Sequence, residues 1–114
     1  MSTFRPICPW SRLPVDRGVA ALVDGEQVAV FRTADEGLYA VSNHDPFSDA
    51  MVVSRGIVGS RGDRPTVASP VYKQVFDLET GRCLDDPAVT LQVHPVRVRD
   101  GVVEVALQVQ ALSA

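Results

Sequence analysis

Two short polar stretches carry the residues with the most chemical potential in this chain: Asn43-His44-Asp45-Pro46-Phe47, and Ser69-Pro70-Val71-Tyr72 running on into Lys73-Gln74. His44 beside Asp45 has the residue types of a metal pair or an acid–base dyad. Side chains of adjacent residues diverge, however, and His94 is the only other histidine, whereas catalytic zinc or non-haem iron needs three protein ligands placed together. His44 therefore reads as a polar loop residue. Cys8 and Cys83 lack the neighbouring base or cation that makes a thiol nucleophilic, and read as small, reduced core residues. Tyr72-Lys73 has the types of a proton relay but no cofactor fingerprint beside it. No catalytic residue and no metal ligand is expected.

One segment departs from the charge of the rest. Between Ser54 and Pro65 lie Arg55, Arg61 and Arg64 against Asp63, a net positive stretch in a chain of formal charge −3. Arginine is favoured at binding hot spots, so this segment is a candidate docking surface. Its Gly56-x-x-Gly59-x-x-Gly62 spacing is not a dinucleotide fingerprint and has no strand-to-helix setting; it reads as a flexible, irregular connection. Arg61-Gly62-Asp63 spells an adhesion tripeptide, which without a secretion signal is chance.

These residues must be positioned by a small scaffold. With 114 residues, one domain spanning 1–114 is expected, large enough to bury a core without disulfide staples. The acidic balance argues against a nucleic-acid partner, which requires a basic face. No apolar run approaches a membrane span, and the first ten residues lack a secretory core and cleavage site. A cytoplasmic location follows as the expectation.

About twenty valines against few leucines favour strands, because β-branched side chains suit a pleated surface. Gly18 to Asp24 and Glu26 to Arg32 form a predicted hairpin turning at Asp24-Gly25. Leu38 to Ser42 is a third strand that delivers the chain into the first polar loop. Met51-Val52-Val53 is a short strand, and Thr66 to Ala68 another that enters the second loop. Val75 to Asp77 and Arg82 to Leu84 flank a turn at Leu78-Glu79-Thr80-Gly81. Leu91 to Arg99 and Val102 to Leu107 turn at Asp100-Gly101, with Pro95 at a bulge or edge. Pro9 to Leu13 allows one helical turn, and Gln108 to Ala114 a frayed end. The pattern predicts an all-β sandwich or barrel of short antiparallel strands.

Nearly the whole chain resembles Rieske-type domains. The resemblance rests on Ile7-Cys8-Pro9, Leu13-Pro14, Gly18-Val19-Ala20, Leu38-Tyr39-Ala40-Val41, Phe76-Asp77-Leu78, Thr80-Gly81 and Pro95-Val96-Arg97-Val98, in that order. In that family the first loop reads Cys-x-His and the second Cys-x-x-His, each at the tip of the fold. Here the four ligand positions read Asp45, Phe47, Ser69 and Tyr72, and Lys73 replaces the glycine after the second histidine. A Rieske centre needs two thiolates and two imidazoles. Phenylalanine offers no donor, and the other three offer only hard oxygens, so the family's electron transfer does not carry over.

One cluster-less branch resembles this chain most: the NirD-type small subunits of assimilatory NAD(P)H-dependent nitrite reductase. Asp45-Pro46-Phe47-Ser48, Ser54 to Gly59, Ser69 to Gln74 and Thr80 to Pro87 carry that likeness. It implies a non-catalytic subunit docking on a large subunit that bears sirohaem, a 4Fe-4S cluster and FAD and reduces nitrite to ammonium. The expected interface combines the former cluster tip with the arginine segment: Phe47, Arg55, Arg61, Arg64 and Lys73. Phe47 and Tyr72 are expected to fill the volume of the missing cluster, and Asp45 and Ser69 to hydrogen-bond across it. Two other readings stand beside this one, an independent redox carrier with an atypical cofactor and a regulatory binding module on the same scaffold.

Overall fold

A computed structural model of the chain describes residues 3–108. In chain order its strands are β1 (Phe4–Pro9), β2 (Arg17–Val23), β3 (Glu26–Arg32), β4 (Leu38–Ser42), β5 (His44–Asp45), β6 (Ala50–Met51), β7 (Ile57–Arg61), β8 (Arg64–Ala68), β9 (Val75–Asp77), β10 (Val96–Arg99) and β11 (Val102–Ala106). Single 3-10 turns stand at Trp10–Arg12 and Val53–Arg55. All ladders between these strands are antiparallel, in sheets ordered β1-β11-β10, β2-β3-β4 and β7-β8-β9, with β5-β6 as a separate minimal hairpin.

The sheet of β2, β3 and β4 is covered on both faces, and the sequence of β3 shows why. Val28, Ala29, Val30 and Phe31 are all fully buried, a continuous apolar run where a one-sided strand would alternate. With the side-chain period of two, Val28 and Val30 join Leu13, Val23, Ala40, Val103 and Val105 in one core. Ala29 and Phe31 join Val41, Val53, Val67, Phe76, Leu78, Cys83 and Leu91 in the other. The first core lies against β11, the second against β8 and β9. Asp24 and Gly25 close the β2–β3 hairpin with φ of 47° and 87°, the double positive φ of a tight hairpin turn.

Several elements differ from the sequence reading, each for an identifiable reason. The glycine–arginine segment is not an irregular connection: β7 and β8 pair from Ile57↔Ala68 to Arg61↔Arg64, with Gly62 turning at φ 62°. The ladder uses backbone groups that glycine supplies as well as any residue. β1 was hidden by Pro6 and Pro9; it is an edge strand with a bulge between Pro6 and Cys8, where missing amide hydrogens are tolerated. The predicted strand from Leu91 to Arg99 is divided at Pro95. Before it, Ser42 N donates to Gln92 O (2.8 Å) and His94 N to Ala40 O (2.8 Å); at it, Ala106 N donates to Pro95 O (3.0 Å). Pro95 thus passes the chain from one sheet to another.

Of Met51-Val52-Val53 only Met51 is in a strand, because Val53 turns into a 3-10 helix that buries its side chain. Arg82 and Cys83 form isolated bridges to Thr90 and Phe76 rather than a continuous strand. The predicted fraying from Gln108 onward falls, beyond residue 108, outside the described residues.

Candidate functional site

The two polar loops leave neighbouring strand ends and are closed locally by their own polar groups. Loop one follows β4. Asn43 is buried, donating from Nδ2 to Gln27 Oε1 (3.0 Å) and Met51 O (3.2 Å) and accepting from Ser54 N at Oδ1 (2.7 Å). It fixes the start of the loop to β3, to β6 and to the Val53 turn. Beyond it, β5 and β6 pair His44↔Met51 and Asp45↔Ala50, and Asp49 N donates to Asp45 O at 2.8 Å. Loop two follows β8, closed by Ser69 N donating to Gln74 O (2.9 Å) and Val71 N donating to Ser69 Oγ (3.2 Å).

Asp45 joins the two loops. Its side chain is fully buried. Oδ2 accepts from Ser69 Oγ at 2.5 Å and from Ser48 Oγ at 2.9 Å, and Oδ1 accepts from Phe47 N at 3.0 Å. Burial would raise its pKa, but the hydrogen bonds from Ser69, Phe47 and Ser48 outweigh burial and hold the carboxyl below the usual range. The predicted bond across the gap is therefore present, as a carboxylate clasped by hydroxyls and backbone.

The two rings behave differently from each other. Phe47 is half-buried and packs on the core, its ring centroid 6.1 Å from that of Phe76. Tyr72 does not fill the gap: it is 60% exposed, because Ser69 and Gln74 close loop two beneath it and turn residues 70 to 73 outward. Lys73 lies at φ 64°, the left-handed region that favours glycine.

The expected arginine surface is divided. Ile57 pairs with Ala68, next to Ser69, so Arg55 lies at the loop-two end of the β7–β8 hairpin. Arg61 and Arg64 close its other end, about 13 Å away for four residue steps of extended chain. They are also engaged there. Arg64 Nε donates to Oδ2 of buried Asp77, and Arg61 lies 3.7 Å from Asp85. Asp77 Oδ1 further accepts from Glu79 N (2.8 Å) and Thr80 N (3.2 Å); burial pushes its pKa up, but these bonds and Arg64 hold it low. Among the described residues, Arg55 and Lys73 take part in no ion pair.

Neither histidine meets Asp45. His44 Nε2 is 2.6 Å from Asp49 Oδ1, and buried His94 accepts at Nδ1 from Gln108 N (3.0 Å), with burial lowering its pKa. Burial likewise pushes the Cys8 thiol up, against a smaller opposing effect of Arg12. Both cysteines are free. Among the described residues no three His, Cys, Asp or Glu side chains are grouped to hold a metal, and no helix is long and apolar enough to cross a membrane.

Sequence reasoning missed Asn43 and Asp77, two buried polar anchors, and the exposure of Met51 and Ile57. Asp77 was detectable: an aspartate just ahead of Glu79-Thr80-Gly81 is placed to cap a turn through its side chain.

Comparison with known proteins agrees with this frame. The family model of the Rieske-like 2Fe-2S domain matches residues 3–106. The nitrite reductase (NADH) small subunit of Salmonella typhimurium is 41% identical over 105 residues, covering 91% of this chain and 97% of that protein. The crystal structure assigned as an NADH-dependent nitrite reductase small subunit from Mycobacterium tuberculosis superposes with a TM-score of 0.92 at 47% identity, over 96% of this chain and 99% of that one. The nitrite reductase NAD(P)H large subunit of Klebsiella oxytoca is 38% identical over 105 residues, which are 92% of this chain and 11% of that protein. A 2Fe-2S centre, the group in the family's description, does not fit this tip. Phe47 has no donor atom, Asp45 and Ser69 are hydrogen-bonded to each other, and Tyr72 faces outward. The chain belongs to the Rieske-like domain family and, within it, to the small subunits of NADH-dependent nitrite reductase.

Proposed function

We propose that this chain acts, as a single domain over 1–114, as the non-catalytic small subunit of a cytoplasmic NAD(P)H-dependent nitrite reductase. It docks on a large subunit bearing sirohaem, a 4Fe-4S cluster and FAD, which reduces nitrite to ammonium in nitrate assimilation. The observation that carries this reading is the Asp45–Ser69 hydrogen bond, at two of the four positions that correspond to cluster ligands. A tip closed by a carboxylate and a hydroxyl keeps the shape of the Rieske frame without a redox centre. Asp45, Phe47, Ser69 and Tyr72 are then vestigial ligand positions with structural or surface roles.

Of the interface candidates, Phe47, Arg55 and Lys73 remain with the tip. Arg61 and Arg64 serve the other end of the hairpin through Asp85 and Asp77. The test is co-purification with the large subunit, together with iron analysis and an absorption spectrum of the isolated chain. A stable complex and a colourless, iron-free small subunit are expected; stoichiometric iron with visible absorption would overturn the reading.

A further inference from the structure

Seven large apolar side chains stand exposed among the described residues, and four of them belong to the two loops that the Asp45–Ser69 clasp joins or to the strand paired with the entry to loop two. Met51 (48% exposed) lies across the β5–β6 ladder from His44, the neighbour of Asp45. Ile57 (75%) lies across from Ala68, the neighbour of Ser69. Val71 (46%) and Tyr72 (60%) follow Ser69 directly on loop two. The other three lie outside both loops: Val15 on the segment before β2, Leu22 in β2 and Val98 in β10. Scattered apolar residues are normal on a soluble surface, but a concentration of them marks an interaction site.

We infer that Met51, Ile57, Val71 and Tyr72 form the apolar centre of the surface that docks on the large subunit, with Arg55 and Lys73 as its cationic rim. This rests on the proposed function and gives it a location. Interfaces combine an apolar centre with a polar rim, and tyrosine is among the residues that dominate binding energy. The clasp holds both loops in place before binding, which lowers the ordering cost of association.

Two observations select the occupant. The Klebsiella oxytoca large subunit contains a region 38% identical to this chain within a much longer polypeptide, so in that protein a relative of this domain is covalently part of a large subunit of the kind proposed as the partner. The rim cations are unpaired among the described residues, so the complementary surface is an apolar depression edged by carboxylates.

The experiment measures binding of the purified small subunit to its large subunit, with folding of each variant checked by circular dichroism. Ile57→Asp and Tyr72→Ala should each weaken binding roughly tenfold or more. Leu22→Asp, equally exposed but on the β2–β3 hairpin, should bind as wild type. If Ile57→Asp and Tyr72→Ala both bind as tightly as wild type, the surface assignment is overturned while the proposed function stands. If wild type itself fails to bind, the proposed function falls and this inference with it.

Discussion

Two buried carboxylates are tied to opposite ends of β8, Asp45 through Ser69 and Asp77 through Arg64, and they are satisfied by different chemistry. At the tip, Asp45 takes hydrogen bonds from two hydroxyls and one backbone amide, with no cation. At the other end, Asp77 takes a guanidinium, Arg64, plus two backbone amides. The neutral solution at the tip leaves Arg55 and Lys73 without ion-pair partners among the described residues; the ionic solution consumes Arg64. The contrast separates arginines that hold the fold from those available to another protein, a distinction invisible in a count of positive charges.

The sharpest way to break the comparison is to remove each carboxylate. Asp77→Ala leaves two backbone amides without their buried acceptor and removes the partner of half-exposed Arg64, and should lower the unfolding free energy by about 3 kcal/mol. Asp45→Ala should cost about 2 kcal/mol and also release loop two, seen as faster hydrogen exchange at Val71. Equal protection of Val71 in variant and wild type would show that the clasp does not hold the loop.

Acid titration comes next. Both carboxyls have folded pKa values below the usual range, so their stabilisation is present above about pH 4, the unfolded carboxylate value. It is lost as pH falls through the depressed folded values. Asp45→Asn and Asp77→Asn should therefore each flatten the acid limb of urea-midpoint curves, and an unchanged limb would contradict the assignment.

Smaller effects refine the picture. Ser69→Ala leaves Asp45 with its other two donors and should cost about 1 kcal/mol in urea unfolding. Charge reversal at Arg55 should slow association several-fold at low salt, whereas reversal at Arg61 should leave the on-rate nearly unchanged. The opposite order would return the interface to the far end of the hairpin.

Much of this was readable before the structure. Asp24-Gly25 declared its hairpin because those residue types tolerate positive φ, and the Asp45–Ser69 contact followed from placing two loops on a familiar frame. β7 was concealed because glycines that suggest flexibility also pair well through their backbones. Tyr72 misled for a related reason: the sequence names the residue at a former ligand position, but local closure by Ser69 and Gln74 decides where its ring points. Val53 was expected in a strand and serves the core from a 3-10 turn instead, since burial of the side chain outweighs continuation of a two-residue ladder.

Lys73 is the only lysine in the chain, exposed on loop two and held at a positive φ. A non-glycine residue there costs about 1 to 2 kcal/mol of backbone energy, offset by the closure of loop two between Ser69 N and Gln74 O. It also gives the protein a single side-chain amine at its proposed docking end. An amine-reactive fluorophore or crosslinker would thus find one lysine handle without any engineering, turning association with a partner into a directly observable signal.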